Sequence, residues 1–483
     1  MTALWTAADV VRATGGRGGC GSGGDCGPGG GYGPGGWTAA DVSIDTRSLV
    51  PGDLFVALRG PNHDGHDFVA AAFAGGAAAA IVDHPVAGTP AGAPLIEVGD
   101  TLDGLVALGA FARARSRARI IAVTGSVGKT GTKEALRLAL GTSGATFASA
   151  GSLNNHWGVP LSLARLPPAA AYGVFELGMN HPGEIARLVR QVRPHVAVIT
   201  TVEPVHLGHF DSVEAIATAK AEIFLGLEPG GIAVLNRDNP HYPSLAGAAA
   251  HAGAAAVIAF GSVPPADPRL LDWRPCPGGS VVEAEFRGSR LSFRLGIPGR
   301  HWAINALAVL AAAAASGADP RVAATALQHF TAMPGRGRRH DLAWHGGRLT
   351  LIDESYNASP AAMDAALRVL GDTPPGRFGR RVAVLGDMLE LGDAAPCLHR
   401  ALAGPIAAAG VDRVFLVGSA IAALDEALPA ALKGGLWPSA DQAIPALVSF
   451  LEPGDVVTVK GSYGVHVDRI VTRLIAEAAR SET

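Results

Sequence analysis

Cysteine and charge are both scarce in this chain, and each scarcity excludes a class of protein. The 483 residues include only four cysteines and no C-x-x-C pair, so neither a zinc site nor a disulfide framework is expected. Charged residues make up 17% of the chain, the formal net charge is −3, and no basic block occurs, which argues against nucleic acid as the main partner. Hydrophobic residues reach 48%, enough for sizeable cores, and the length suggests about three domains.

Targeting signals and long apolar runs are also missing. The N-terminal Met-Thr-Ala-Leu-Trp lacks the basic region and the apolar stretch of a signal peptide. The alanine-rich run 306–315 is shorter than the roughly 18 residues that identify a membrane helix. The sequence therefore predicts a soluble, cytoplasmic protein with no stable membrane insertion.

A glycine-containing loop lies between a predicted strand and a predicted helix. The β-branched run 120–124 predicts a buried strand, and the residues after the loop favour helix. The loop reads Thr-Gly-x-x-Gly-Lys-Thr, a variant of the usual phosphate-binding pattern. Backbone N–H groups of such a loop face an anion, while Lys129 can reach the β- and γ-phosphates and the Thr130 hydroxyl can ligate Mg²⁺. The alternative is an ordinary strand–helix turn with a surface lysine. We predict a nucleoside triphosphate site at Gly125, Ser126, Val127, Gly128, Lys129, Thr130 and Gly131.

Residues 1–118 precede this loop and form the first predicted domain. A short helix is predicted over 4–13, and the glycine-rich stretch 15–36 is interpreted as a flexible loop. Residues 42–58 predict a strand, a Pro-Gly turn and a second strand. The His- and Asp-rich segment 62–68 is either a metal site or a polar loop with Asp67 near the N-cap of the following helix.

Apolar strands alternate with helices between residues 119 and 333, the second predicted domain. This alternation is typical of an α/β fold with a doubly wound, mostly parallel sheet, in which ligands bind at the carboxyl ends of the strands. The predicted strands are 120–124, 172–176, 196–200, 231–235 and 256–260.

Two residues that follow strands of the second domain are candidates for a metal site. Glu176 ends the second predicted strand, where a carboxylate would hold Mg²⁺, although it could instead be a helix N-terminal carboxylate. His206 follows the third strand and opens a His-x-x-His-x-Asp pattern that resembles a metal cluster. Lys220 lies on a predicted amphipathic helix, where a lysine by default faces solvent.

Residues 334–483 follow a Gly/Pro hinge and form the third predicted domain. Strands predicted at 349–353, 381–386, 413–417 and 455–459 alternate with helices and indicate a second α/β sheet that resembles a dinucleotide-binding fold. No glycine fingerprint opens a helix here, so nothing argues for NAD.

Together these motifs resemble those of the Mur ligase family, the ATP-dependent amide ligases of peptidoglycan synthesis. No single motif is decisive, but their order and spacing are specific, and the resemblance covers nearly the whole chain. The motifs are Ser43-Ile-Asp45-Thr-Arg47, the phosphate loop, Leu153-Asn154-Asn155, Glu176-Leu-Gly, His206, Ala219-Lys220-Ala-Glu-Ile-Phe, Gly299-Arg-His-Trp-Ala-Ile-Asn305, Pro334-Gly-Arg336, Asp353-Glu-Ser-Tyr356-Asn and Lys460-Gly-Ser.

The resemblance implies an activity and a division of labour. The first domain would bind a UDP-sugar, the second ATP, and the third would bring the amino substrate. The implied reaction, which uses ATP and Mg²⁺, joins D-alanyl-D-alanine to UDP-N-acetylmuramoyl-tripeptide through an acyl phosphate, in a monomeric enzyme.

The resemblance also implies roles for particular residues. Lys129, Glu176, His206 and Lys220 would be catalytic, and Lys220 would carry a carbamate that turns it into a metal ligand beside Thr130, Glu176 and His206. The remaining assignments are Asn305 and Tyr356 to adenine, Asp353 to ribose, Arg336 to the phosphates, and Ser43, Asp45, Arg47, Asn154 and Asn155 to the muramyl-peptide substrate.

Two other interpretations stay open. One is a different ligase of the superfamily, the enzyme that adds the third amino acid, which in some forms carries an Asp-Asn-Pro-Arg signature in its third domain. Here Asp238-Asn239-Pro240 is followed by His241 and lies in the second domain, so we interpret it as a turn. The other is a non-catalytic nucleotide switch, against which the spread of candidate metal ligands and the third domain both argue.

Overall fold

The computed structural model describes residues 3–20, 36–205 and 207–481, which form three α/β units in chain order. None of the described helices is long and apolar enough to cross a membrane. Short 3-10 helices occur at Gly65–Phe68, Glu222–Gly226, Leu327–His329, Gly392–Ala394, Ala430–Leu432 and Tyr463–Val465.

The first unit is built on a sheet with the order β2-β7-β6-β5-β4, in which only the edge strand β2 is antiparallel. The two strands predicted over 42–58 are present as β4 and β5, but they pair in parallel rather than as a hairpin. The elements are β1 (Trp5–Thr6), α1 (Ala7–Thr14), β2 (Arg17–Cys20), β3 (Thr38–Ala39), β4 (Val42–Ser43), β5 (Leu54–Val56), α2 (Val69–Ala74), β6 (Ala79–Val82), β7 (Pro94–Glu97) and α3 (Thr101–Arg115).

The glycine-rich stretch is described only at its two ends, since residues 21–35 lie outside the described part of the chain. The prediction of a loop was wrong for Arg17–Cys20, which form β2 against β7. A sheet edge recruits main-chain groups, so glycines can join it without contributing side chains. Gly16, just before β2, allows the chain to come close to β7, because a Cβ at this position would lie 2.6 Å from Cγ2 of Ile96.

The second unit is a doubly wound sheet of parallel strands, with the order β13-β12-β11-β8-β10-β9. The predicted strands are confirmed within about one residue at each end, which is expected of continuous apolar runs buried on both faces. The elements are β8 (Arg119–Thr124), α4 (Lys129–Gly141), β9 (Thr146–Ala148), α5 (Gly158–Ala164), β10 (Tyr172–Glu176), α6 (Glu184–Val192), β11 (Val196–Ile199), α7 (Val213–Ala221), β12 (Ile232–Asn236), α8 (Tyr242–His251), β13 (Ala256–Phe260), β14 (Arg269–Cys276), β15 (Gly279–Phe286), β16 (Ser289–Leu295), α9 (Arg300–Ala315) and α10 (Pro320–Ala326).

The antiparallel sheet β14-β15-β16 was not predicted. Its middle strand β15 alternates buried and half-buried residues, and β16 carries several exposed ones, because one face packs on the core around α9 through residues such as Val282 and Phe293 and the other face is more open to solvent. An amphipathic strand has a weaker apolar signal than the buried parallel strands beside it, which explains the omission.

The third unit has the sheet order β17-β18-β22-β19-β20-β21, and the only antiparallel pair among its described strands joins β17 to β18. The four predicted strands are confirmed, whereas β17 and β21 at the two edges were missed. The elements are β17 (Arg338–Trp344), β18 (Gly347–Glu354), α11 (Pro360–Asp372), β19 (Arg381–Gly386), α12 (Ala395–Arg400), α13 (Ala403–Ala408), β20 (Arg413–Val417), α14 (Ala422–Ala427), β21 (Lys433–Trp437), α15 (Ala440–Phe450), β22 (Val456–Lys460) and α16 (Asp468–Ser481).

The first and second units share a hydrophobic core in which Trp5 is fully buried beside Leu161 and Ala164 of α5. The Trp5 indole donates a hydrogen bond of 2.9 Å to the Ala164 carbonyl, and the Arg115 guanidinium lies 4.2 Å from its ring. This core holds the two units together without a flexible linker.

Replacing Trp5 with alanine should therefore destabilise the joint between the first two units. The lost burial and the cavity left behind should cost about 3–5 kcal/mol of the free energy of unfolding. Urea denaturation followed by circular dichroism measures this, with Val50→Ala, at a 57% exposed site, as the control. A loss below about 1 kcal/mol, the range of ordinary surface changes, would show that this core does not join the units.

Candidate functional site

The phosphate-type loop has the predicted strand–loop–helix geometry. It leaves β8 at Thr124 and enters α4 through Gly128, whose φ of 83° is in the left-handed region that favours glycine. Lys129 folds back over the loop, and its ammonium donates to the Gly125 carbonyl at 2.7 Å. Burial lowers the pKa of Lys129, and the nearby carboxylate of Glu176 opposes that shift.

Residues that follow β11 hold the loop in place. The Thr200 hydroxyl donates to the Val127 carbonyl at 2.6 Å, and the Ser126 hydroxyl accepts from the Glu203 backbone N–H at 2.8 Å. A Cβ on Gly125 would lie 1.9 Å from the Thr200 hydroxyl, so only glycine fits there. These contacts hold the loop against the end of β11.

Glu176 lies where a cation at the loop would need a ligand. It is 1% exposed at the end of β10, and its Oε1 accepts from the Asn154 amide at 2.7 Å. Its Oε2 is buried and has no hydrogen-bond partner among the described residues. Because a carboxylate oxygen left unpaired in the interior is costly, this atom fits a bound divalent cation, and the buried Thr130 offers a hydroxyl from the same cavity.

Lys220 is buried, 2% exposed, so the default of a solvent-facing lysine was wrong. It lies four residues after Ile216 on α7, and the two side chains therefore lie on the same buried face of that helix. Burial, and to a lesser degree the charge of Lys129, holds the pKa of Lys220 well below its usual value. A neutral amine is the form that can react with CO₂, so the environment fits the carbamate implied by the resemblance. His206 lies outside the described residues, and its predicted role stays a prediction.

A cavity of about 1650 Å³ opens between the second and third units at this point. It brings together side chains from both units, and Arg336 of the third unit donates to the Ser152 hydroxyl of the second at 3.2 Å. The Gly208 N–H also donates to the Glu390 carbonyl at 3.0 Å across the same gap. Its lining includes Lys129, Thr130, Asn154, Glu176, Glu203, His301, Asn305, Arg336, Glu354, Tyr356 and Lys460.

Besides residues of the phosphate loop, three of the four other residues predicted to contact nucleotide line this cavity. Asn305 packs against the loop, since a Cβ on Gly128 would lie 2.9 Å from its Nδ2. The Arg336 guanidinium lies 3.8 Å from the centre of the Tyr356 ring. Asp353 does not line the cavity, because its carboxylate accepts from the Gly335 N–H at 2.7 Å and from Ser355. In this structure it supports the hinge.

The predicted substrate residues are divided between two places. Asn154 lines the cavity, whereas the Asn155 side chain accepts from the Gly158 N–H at 2.9 Å at the start of α5. Ser43, Asp45 and Arg47 lie in the first unit and do not line the cavity, and Asp45 and Arg47 form an exposed ion pair with each other.

Family models cover most of the chain. The Mur ligase middle domain matches residues 123–313, the Mur ligase glutamate ligase domain matches 337–463, and the Mur ligase family catalytic domain matches 39–135. The chain belongs to the Mur ligase family.

Individual relatives agree with this placement. The curated UDP-N-acetylmuramoyl-tripeptide--D-alanyl-D-alanine ligases of Escherichia coli and Bacillus subtilis are 36% and 34% identical, each over 90% of this chain and 93% of their own length. Among solved structures, MurF from Acinetobacter baumannii has a TM-score of 0.82 at 30% identity, covering 98% of this chain and 99% of its own. MurF from Thermotoga maritima, solved in complex with ADP, has a TM-score of 0.76 at 26% identity, and the match covers 91% of this chain and 98% of that one.

Two motifs that could have pointed elsewhere make structural contacts in this Mur ligase. Asp238 and Asn239 form the predicted turn, with the Asp238 carboxylate accepting from Ser262. In the His- and Asp-rich segment, Asp64 rather than Asp67 caps the short helix. His66, Asp83 and His84 come close enough to share an ion, but Arg59 already places its guanidinium 2.8 Å from Asp83.

Several ionisable residues of the cavity were not predicted as site residues, among them Glu203, His301, Glu354 and Lys460. Burial raises the pKa of Glu354 and lowers the pKa of Lys460. The two side chains lie 3.4 Å apart, and the opposite charge of each one partly offsets the shift in the pKa of the other. Burial also raises the pKa of Glu203. Glu354 and Lys460 end β18 and β22, so the strand-end rule that found Glu176 would have found both.

The His301 imidazole should make the stability of this Mur ligase depend on pH. Burial and the neighbouring Lys460 lower the pKa of His301 from 6.5 to about 4. Below pH 6.5 the unfolded chain takes up a proton that the folded chain refuses, so stability falls as the pH drops towards 4. Between pH 7 and pH 5 this group should cost about 1–2 kcal/mol of the free energy of unfolding.

Thermal unfolding of the parent and of His301→Gln at the two pH values measures the effect. The His301→Gln variant should lose less stability on acidification than the parent. His251→Gln, at an exposed site, is the matched control and should behave like the parent. Equal acid losses in the parent and in His301→Gln would contradict the assignment.

Proposed function

We propose that this chain is the ligase that joins D-alanyl-D-alanine to UDP-N-acetylmuramoyl-tripeptide, with hydrolysis of ATP to ADP and phosphate. The observation that carries the proposal is the match, over 90% of this chain and 93% of their own length, to curated ligases with that name. The cavity supplies the chemistry, since a phosphate loop and an unpaired buried carboxylate face the same space.

An amide does not form from a free carboxylate at a useful rate, so the carboxylate is activated first. The terminal carboxylate of the tripeptide attacks the γ-phosphorus of ATP, ADP leaves, and an acyl phosphate forms. The amine of D-alanyl-D-alanine then attacks the acyl carbon, phosphate leaves, and the amine loses a proton. No protein nucleophile is required by this sequence of steps.

The chain's own groups provide charge and orientation. Lys129 and Arg336 place cations in the cavity from opposite units, where they stabilise the negative charge of the transferring phosphoryl group. The contact between Arg336 and Ser152 and the one between Gly208 and Glu390 bring the third unit against the second, which excludes water that would hydrolyse the acyl phosphate.

Mg²⁺, when bound, would neutralise phosphate charge and align the reacting oxygens. The residues that would hold it are Glu176 through its unpaired Oε2, Thr130 through its hydroxyl, and Lys220 once it is carbamylated, with His206 as a further predicted ligand. The unpaired carboxylate oxygen is the feature of this structure that fits a cation.

The units are assigned to substrates on the same basis. We propose that residues 1–118 bind the UDP-sugar through Ser43, Asp45 and Arg47, and that residues 119–333 bind ATP, with help from Arg336 and Tyr356, while Asp353 supports the hinge from which Arg336 extends. Residues 334–483 bring D-alanyl-D-alanine. A single copy supplies all of these groups, so we propose a monomer that works in the cytoplasm, where ATP and nucleotide-linked precursors are made.

The direct test is phosphate release from ATP and Mg²⁺ with UDP-N-acetylmuramoyl-tripeptide, with and without D-alanyl-D-alanine, and the product followed by mass. Release that needs both substrates and yields the pentapeptide is the expected result. Ligation of a single amino acid to the dipeptide precursor would instead identify the enzyme that adds the third residue. Nucleotide binding with no turnover on any acceptor would overturn the ligase and favour a switch.

A further inference from the structure

A second lysine of α4, one turn after Lys129, is completely buried and is not part of the phosphate loop. The side chain of Lys133 has no exposed surface. Its ammonium donates to the Ser149 carbonyl at 2.5 Å and to the Gly151 carbonyl at 2.8 Å, and it lies 2.9 Å from the Glu134 carboxylate. These three contacts match the three donors of an ammonium, so the group is fully satisfied.

The segment that Lys133 holds, residues 149–154, connects the phosphate-loop helix to the candidate metal ligand. The Ser152 hydroxyl of this segment accepts from Arg336 of the third unit at 3.2 Å. The Asn154 amide donates to Oε1 of Glu176 at 2.7 Å and so orients the carboxylate, whose other oxygen is unpaired.

The segment itself has little regular pairing to hold its shape. β9 ends at Ala148, just before the segment, and Gly151 adopts a left-handed φ of 50°. Ser149 is anchored by its N–H to the Val174 carbonyl at 3.0 Å, and Asn154 by its carbonyl, which accepts from the Gly178 N–H at 2.9 Å. Between these two anchors, Lys133 binds two carbonyls of the turn from the side of α4.

We propose that Lys133 is a positioning residue of the metal site, which acts through the 149–154 segment to set the orientation of Glu176. It fixes the turn so that Asn154 occupies one oxygen of Glu176 and leaves the other free for a cation. The same contact places Ser152 where Arg336 arrives. The inference rests on the proposed function, because it takes Glu176 as the Mg²⁺ ligand.

The test compares Lys133→Met with Arg137→Met. Lys133 and Arg137 both pair with Glu134. Arg137 is 53% exposed and does not contact the 149–154 segment, so Arg137→Met is a matched control. Lys133→Met should raise the Mg²⁺ concentration for half-maximal ligation about tenfold to a hundredfold, the usual cost of losing an outer contact to a metal ligand. Arg137→Met should leave it unchanged.

Two readouts do not depend on ligation. Mn²⁺ binding in the presence of ADP, followed by electron paramagnetic resonance, should weaken by a similar factor in Lys133→Met. Hydrogen exchange of the peptide that covers 149–155 should speed up in that variant and not in Arg137→Met. If the parent fails to ligate while these readouts respond as expected, the proposed function fails and the positioning role survives.

A double-mutant cycle separates positioning from a general loss of stability. In the Asn154→Ala background, Lys133→Met should weaken Mn²⁺ binding by no more than about twofold, because the two residues act on Glu176 in series. If Lys133→Met does not fold, Lys133→Gln, which has no charge but keeps a shorter amide NH₂ donor group, replaces it with the same expected direction. A lower thermal midpoint with unchanged Mn²⁺ affinity and unchanged exchange would overturn the proposal.

Discussion

Replacing Lys129 with methionine is expected to lower the rate of ligation about 10³- to 10⁵-fold, the range found when a cation that stabilises a transferring phosphoryl group is removed. The ammonium lies over the phosphate loop and in the same cavity as Arg336, and methionine keeps its length and apolar stem without the charge.

The same substitution should leave the chain folded. Burial already lowers the pKa of Lys129, which means that its charge is unfavourable in the absence of a phosphate. The thermal midpoint of Lys129→Met should therefore equal or exceed that of the parent, while the stabilisation that ADP provides should disappear. An activity loss through unfolding would instead lower the midpoint.

Phosphate release and thermal unfolding with and without ADP measure both effects. Lys433→Met is the control, because Lys433 pairs with Asp425 on the third unit and does not line the cavity. It should keep parental activity. More than about a tenth of parental activity in Lys129→Met would contradict a role in phosphoryl transfer, where a positioned charge is worth at least 10²-fold.

Replacing Glu176 with glutamine is expected to lower the rate about 10²- to 10³-fold, or about 3–4 kcal/mol of transition-state stabilisation. The side chain keeps its shape, and its amide oxygen can still accept from Asn154. What is lost is the unpaired, negatively charged Oε2, the atom that fits a divalent cation. The amide NH₂ that replaces it cannot ligate a metal.

Activity measured over a range of Mg²⁺ concentrations distinguishes this effect from a folding defect. Glu176→Gln should need much more Mg²⁺ and should unfold at about the same temperature as the parent, since the side chain keeps its shape and its hydrogen bond from Asn154. Glu426→Gln, at a carboxylate that is 73% exposed and pairs with Arg400, is the control and should leave the Mg²⁺ dependence unchanged. Parental Mg²⁺ dependence in Glu176→Gln would rule out Glu176 as the ligand.

The parts of the fold that could be predicted are those whose signal is local. Buried parallel strands such as β8 and β10 are continuous apolar runs, and the phosphate loop is a contiguous motif, so both are visible in the sequence. The edge strand β17 and the sheet β14-β15-β16 were missed because many of their side chains are exposed or only half-buried, which weakens the apolar signal, and β2 and β21 because their glycines carry no apolar signal.

Several site residues depended on the tertiary structure. Lys220 looks like a surface lysine in its helix, and only the packing of α7 shows that it is buried next to Lys129. Asp353 is in a motif beside Glu354, yet the fold turns Asp353 towards the hinge and Glu354 into the cavity. Side chains on successive residues of a strand point to opposite faces, so which of the two meets the cavity is decided by what packs on each face.

By itself, the sequence determined the α/β class, the phosphate loop with Lys129, the carboxylate at the end of β10 and the family, because each depends on neighbouring residues or on the order of motifs along the chain. Only the tertiary structure decided that Arg336 and Lys460 meet Lys129 and Glu176 in one cavity, that Oε2 of Glu176 is unpaired, and that Lys133 holds the segment bearing Asn154. These contacts join residues far apart in the chain, and such pairings are set by how the units pack.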